Sequence, residues 1–155
     1  MTIKDIDWDD PKDPRPGWQL DHVKLYVGSK GTEGQFWRGT QTLLLTTLGR
    51  VSGHPVRTPL IYGEADGAYL VVASRGGSAE HPLWYRNLVA HPEVRIQVGP
   101  EIMQGRARTA TPEERAAYWP VMVGHWPAYD DYQRSTEREI PIVVIEPTAA
   151  PAQER

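Results

Sequence analysis

Two short turns carry the residue types that grip anions. "GRVSG" (residues 49–53) ends the apolar run "TLLLTTL", and "SRGG" (74–77) ends "AYLVVA". In each, glycine lets the backbone approach a ligand closely, with a guanidinium and a serine hydroxyl alongside the turn amides. Arg50, Ser52 and Gly53 in the first turn, and Ser74, Arg75, Gly76 and Gly77 in the second, are the candidates. The group they would hold is a phosphate or a carboxylate, which the planar fork of arginine matches. A hairpin with no ligand uses the same residues, so one such turn decides little. Two of them at the ends of neighbouring strands favour a shared anion site.

Aromatic side chains supply a second chemistry. Trp84 and Tyr85 follow His81-Pro82, and proline suits the first turn of a helix. Amides at that helix start would favour an anion or an electron-rich ring edge. Adjacent helical residues point about 100° apart, so one ring can face a pocket while the other joins the core. Trp126, Tyr129 and Tyr132 recur at every third position, which aligns them on one helical face. Hydroxyl-bearing rings beside Asp130 and Asp131 make a poor core stripe and suit the wall of a pocket for a flat organic molecule. Helix–helix packing is the competing explanation.

The usual hydrolytic and metal constellations are missing. There is no cysteine, hence no disulfide, thiolate metal site or cysteine nucleophile. His22, His54, His81, His91 and His125 show no metal-ligand spacing, and neither a Gly-x-Ser-x-Gly elbow nor a phosphate-binding lysine loop occurs. No metal is expected.

These residues need a scaffold. A chain of 155 residues with 39% hydrophobic and 24% charged side chains can enclose one core. No apolar run approaches the roughly 18 residues of a membrane span, and the acidic start "MTIKDIDWDD" lacks a signal-peptide core. A cytoplasmic protein is expected. The net charge of −3 hides a segregation, with six arginines, no lysine and four acids between Trp37 and Arg95. An acidic total with acidic ends argues against nucleic acid as a partner. Residues 1–17 read as an extended arm, 18–147 as one domain and 148–155 as a loose tail. Within the domain the pattern predicts a helix from Gly17 to the 28–34 glycines and strands at 42–49, 56–63, 68–74, 93–99 and 102–110. A short helix at Trp84-Tyr85 follows the third strand. A capped helix then runs from Thr111 and ends before Gly124, a partly helical aromatic segment follows, and the last strand is "IPIVVIEP". Asp66-Gly67 marks a hairpin, and Pro59 places its strand at an edge or bulge. Hairpins rather than crossovers join most strands, which predicts an antiparallel sheet or small barrel with helices outside.

Four segments together, "LLLTTLGRVSGHP", "VVASRGGSAEHPLWYRNLVAHPEV", "TATPEERAAYWP" and "WPAYDDYQ…IPIVVIEP", resemble the deazaflavin-dependent nitroreductases of actinobacteria, in order from Leu43 to Pro147. The resemblance implies an α+β, mainly β fold: a split β-barrel of the FMN-binding type with helices packed outside. It implies an enzyme that uses coenzyme F420, with FMN as the alternative cofactor and a non-catalytic deazaflavin carrier as the alternative role. Hydride would pass from the reduced deazaflavin to a quinone, enone or nitroaromatic. By position, the cofactor would be held by Arg50, Ser52, Gly53, Arg57, Ser74, Arg75, Gly76, Gly77, Leu83, Trp84, Tyr85, Arg86 and Asn87. Trp126, Tyr129 and Tyr132 would line the substrate side, with Ser74 and Tyr129 bonding the substrate oxygen. Two positions depart from the family turn. Val51 replaces a base, and Val56 stands where a basic residue is common, with Arg57 one place later and so predicted on the opposite strand face. A small-molecule substrate and a monomer or homodimer are expected; the N-terminal helix could serve as a lid, a dimer contact or a peripheral membrane element.

Overall fold

The computed structural model describes residues 6–148. The first five residues of the expected arm, and the expected tail beyond Thr148, lie outside the described residues. No described helix is long and apolar enough to cross a membrane.

The frame is one eight-stranded antiparallel sheet. In chain order the elements are α1 (Trp18–Gly28), β1 (Phe36–Trp37), β2 (Thr40–Leu48), β3 (Pro55–Ile61), β4 (Gly63–Ala65) and β5 (Ala68–Val72). After a single tight turn at Arg75–Gly77 come α2 (Leu83–Ala90), β6 (Glu93–Val98), β7 (Glu101–Thr109), α3 (Pro112–His125), α4 (Ala128–Arg134) and β8 (Ile142–Pro147). The strands lie side by side as β3, β2, β6, β7, β8, β5, β4, with the short β1 also on β2. The two end strands, β3 and β4, follow one another in the chain across Tyr62 alone. One bent segment therefore spans from one end of the sheet to the other, which forces the sheet to curl into a half-barrel. This is the mainly-β, barrel-like architecture expected from the hairpin-rich pattern.

Strand periodicity explains why the central strands are apolar throughout. On β5 and β8, Val71, Val143 and Ile145 face one core with Leu43, Leu45, Leu88, Val94 and Ile96. Their alternating neighbours Leu70, Val72, Ile142 and Val144 face a second core with Met122 and Tyr129. Successive side chains point to opposite faces, so a strand covered on both sides loses its polar alternation. The first core is covered by α2 through Leu88, and the second by α3 and α4. A third cluster of Val23, Tyr26 and Leu44 docks α1 onto β2. The Tyr26 hydroxyl anchors it, lying 3.0 Å from the Thr42 carbonyl and accepting from the Gly99 amide at 2.7 Å.

Local signals held where the backbone chemistry was strong. Asp66 (φ 54°) and Gly67 (φ 81°) both take the left-handed conformation of a two-residue hairpin. Pro59 lies on β3 opposite Leu44, at the end of the sheet, where its missing N–H breaks no ladder. Thr111 caps α3 in a full capping box with Glu114. The helix does not stop before Gly124, however; it runs on to His125. Met122 on its last turns packs into the core, and that burial outweighs the modest cost of a glycine there. Two features were not foreseen. Strand β1 is too short for any period, and Lys12 of the arm pairs in parallel with Val56, donating to Pro55 at 2.8 Å and accepting from Arg57 at 2.9 Å. The arm thereby covers the otherwise open outer edge of β3.

Candidate functional site

A cleft of about 860 Å³ runs along the outside of β3 and is closed by the arm, α1, the two glycine turns, the start of α2 and α4. Its first end is built for an anion. In the 49–53 turn the Gly49 amide donates to His54 (2.9 Å) and the Gly53 amide to Gly49 (2.8 Å). The buried side chain of Asn87 receives the Arg50 amide at 3.0 Å and donates to Thr47 at 3.2 Å, tying α2 to this turn. The Ser52 hydroxyl oxygen accepts from the His54 amide at 3.0 Å, which leaves its hydrogen to donate elsewhere.

The second turn is a nest. Ser74 is right-handed (φ −82°, ψ −38°), and Arg75, Gly76 and Gly77 follow with φ of 47°, 63° and 86°. A right-to-left reversal of this kind turns consecutive amides, here those of Ser74, Arg75 and Gly76, to one concave side. The next two amides are used internally, Gly77 to Ser74 (2.9 Å) and Ser78 to Arg75 (3.1 Å). Arg75 is a non-glycine residue in a region that side chains avoid, so the surroundings must hold it there. Gly77 is required for a different reason. A Cβ at this position would come within 2.2 Å of Ser135 Oγ and 3.0 Å of the Tyr132 carbonyl, so the turn rests directly on the end of α4.

The other end is aromatic. Trp18 stacks on Trp37 (centroids 5.1 Å, 17°), Trp37 meets Trp126 at 5.2 Å, and Trp126 Nε1 donates to the Tyr132 hydroxyl at 3.3 Å. Tyr129, 5% exposed, lies 6.1 Å from Tyr132 in an edge-to-face pair. Burial, and secondarily Tyr132, pushes its phenol far above the ordinary tyrosine range, so it remains a proton-bearing donor at any working pH. Ser74, 9% exposed, lines the cleft with Tyr129, and among the described residues neither hydroxyl has a hydrogen-bond partner.

Most of the residues singled out from the sequence meet here. Arg50, Ser52, Arg57, Ser74, Arg75, Gly76, Leu83, Trp84, Asn87, Trp126, Tyr129 and Tyr132 all border the cleft. Gly53 and Gly77 shape its turns from behind. Tyr85 and Arg86 point elsewhere, as the helical angle between neighbours allows. The Tyr85 hydroxyl shares a hydrogen bond with Thr109 at 2.8 Å in a separate cavity of about 220 Å³, and Arg86 lies 3.8 Å from Glu80. Val56 and Arg57 both border the cleft although they alternate along β3, because the cleft reaches around this end strand; the Arg57 fork is held by Asp13 at 2.7 and 2.9 Å. Sequence reasoning missed Asp13, Arg15, His22 and Trp37 as cleft residues. No local signal announces them, since the arm and β1 reach the site only through tertiary packing.

The cleft fits a large cofactor with an anionic tail and a flat ring. Its volume lies within the about 300–1,000 Å³ of ligand pockets. Among its described residues one carboxylate, Asp13, faces five cationic side chains: Lys12, Arg15, Arg50, Arg57 and Arg75. Pro59, Leu60 and Ile61 of β3 add apolar lining.

The family model described as F420H(2)-dependent quinone reductase matches residues 18–147. An F420H(2)-dependent quinone reductase of Mycobacterium tuberculosis, Rv1261c, is 38% identical over 128 residues, covering 80% of this chain and 86% of that one. A solved F420-H2 dependent reductase, FDR-A, superimposes with a TM-score of 0.64 at 40% identity, covering 68% of this chain and 93% of its own. A second solved structure, described as a domain-swapped dimer, gives a TM-score of 0.67 at 35% identity, covering 81% and 95%. The resemblance to nitroreductases read from the sequence therefore resolves, and the split β-barrel with it: the chain belongs to the F420H(2)-dependent quinone reductase family, oxidoreductases whose cofactor is coenzyme F420.

Proposed function

We propose that this chain reduces quinones with reduced coenzyme F420 bound along β3, its anionic tail at the two glycine turns and its ring toward Ser74 and Tyr129. When bound, the reduced deazaflavin supplies two electrons as hydride. The protein's part is placement and charge stabilisation. The Ser74, Arg75 and Gly76 amides with Arg50, Arg75 and the Ser52 hydroxyl hold the anion. Trp84 and the β3 wall keep the ring side dry. The Ser74 and Tyr129 hydroxyls donate to the substrate oxygen on which charge develops, burial keeping Tyr129 protonated for that role, and the proton that completes the reduction arrives from Tyr129 or water. Trp126 and Tyr132 flank a flat substrate. The observation that carries this reading is one continuous cleft lined by five cationic side chains and the two glycine turns and, against α4, by the rings of Trp126, Tyr129 and Tyr132, with the Ser74 and Tyr129 hydroxyls in the same lining. A carrier protein would have no use for the aromatic lining. Enones and nitroaromatics present a comparable oxygen and belong in the same assay.

The test is a fluorescence titration with oxidised F420, with FMN in parallel, followed by turnover with quinones, enones and nitroaromatics. Tight, salt-sensitive binding of F420 with weak binding of FMN is expected. Tyr129→Phe should lower quinone turnover by about a hundredfold while leaving the F420 dissociation constant nearly unchanged. Preference for FMN, or a Tyr129→Phe variant that loses F420 affinity at full turnover, would refute the assignment.

A further inference from the structure

Arg138 lies in the connection between α4 and β8 and touches none of the cleft. Four of its five N–H donors are nevertheless spent on the segment that carries the nest. Nε donates to the Ser78 carbonyl (2.8 Å), Nη2 to the Ser74 carbonyl (2.7 Å), and Nη1 to the Ala73 carbonyl (3.2 Å) and to His81 Nδ1 (3.0 Å). Because a guanidinium only donates, His81 must accept at Nδ1. Among the described residues Arg138 has no carboxylate partner, although it is close enough to Arg75 for that charge, after burial, to push its guanidinium downward. Among the described residues the exposed Glu80 alone offsets Arg75 and Arg86, at 3.4 and 3.8 Å.

The same connection is tied to the substrate side. Gln133, on the helix of Tyr129 and Tyr132, donates to the Arg138 carbonyl at 2.9 Å, and Ser135 Oγ, which donates to the Tyr132 carbonyl at 2.8 Å, lies 3.3 Å from the Gly77 carbonyl. We infer that Arg138 is a positioning residue that locks the Ser74–Gly76 nest to the end of α4, so that cofactor affinity depends on a side chain that touches no ligand. The physical need is the left-handed Arg75, a conformation that side chains avoid and that its surroundings must hold. The three carbonyls captured by Arg138 flank that reversal, so releasing them lets the turn relax and rotates the nest amides away from the cleft. Lysine cannot replace the fork, because one ammonium cannot reach three carbonyls and a ring nitrogen in fixed directions.

This inference rests on the proposed cofactor site, and the experiment separates the two. Arg138→Lys and Arg138→Gln are compared with Arg115→Lys, since Arg115 braces the same connection through Ile140 (2.9 Å) and Gln133 (2.8 Å) without touching the nest. Both Arg138 variants should weaken F420 binding about tenfold or more and speed hydrogen exchange of the 74–78 amides in cofactor-free protein. Arg115→Lys should lower the melting temperature comparably while leaving affinity within about twofold. Unchanged affinity and exchange in the Arg138 variants, or an equal loss of affinity in Arg115→Lys, would overturn the inference. Failure of the wild type to bind F420 would instead defeat the proposed function, and the exchange rates would still decide whether Arg138 locks the nest.

Discussion

Individual residues in this site act mainly through the partners that fix their protonation and direction. His81 illustrates it: its Nδ1 accepts from Arg138, its ring lies 4.8 Å from Tyr85, and burial first, then the charges of Arg138 and Arg86, lowers its pKa from 6.5. The folded protein therefore keeps His81 neutral where the unfolded chain would protonate it. Its contribution to stability is complete above pH 6.5 and is lost as pH falls toward and through the lowered folded value. A thermal melt series across this range should show the decline, and His81→Asn, which keeps an acceptor and does not titrate, should flatten it. An unchanged slope in the variant would assign the decline to other groups. Tyr129 is the opposite case, a group that burial keeps protonated, so turnover should show no phenol ionisation in the neutral range.

At the level of elements, caps and turns were the legible parts. The α3 cap was predicted from Thr111, Pro112 and Glu114, and the structure adds a brace. Arg108 on β7 donates to both Glu114 oxygens at 2.7 and 2.9 Å, and that pairing, with the Thr111 amide, lowers the Glu114 carboxyl to about 2. Thr111→Ala should cost about 1 kcal/mol, or about 2–4 °C in melting temperature, without altering F420 affinity, because α3 borders none of the cleft. A loss of affinity in that variant would mean that α3 positions α4. Trp84 and Tyr85 show where legibility ended. Their 100° separation on a helix is a local fact, but which ring met the cleft depended on how α2 docks, through Leu88 in the core and Asn87 against the first turn.

For the whole molecule, closure of the sheet and coverage of its edge decide the site. The Asp13–Arg57 pair joins the arm to β3, with side chains 27% and 21% exposed. It neutralises one of the cations that line the cleft. Asp13→Asn should tighten F420 binding by about threefold and lower stability by no more than about 1 kcal/mol, as read by titration and a thermal melt. Weaker binding would show that Asp13 presents Arg57 to the ligand rather than competing for it. Short-range backbone chemistry was enough for the sequence by itself to determine most of the strands and helices, the Asp66-Gly67 hairpin, the α3 cap, the two glycine turns and the aromatic triplet at 126–132. Only the tertiary structure decided that Tyr62 links the two end strands, that Arg57 meets Asp13, that Trp18 and Trp37 join Trp126, and that Arg138 clamps a turn some sixty residues earlier in the chain. Those contacts carry no local periodicity or propensity. They arise from how a curled sheet brings distant segments to one edge, and that geometry is a property of the packed chain.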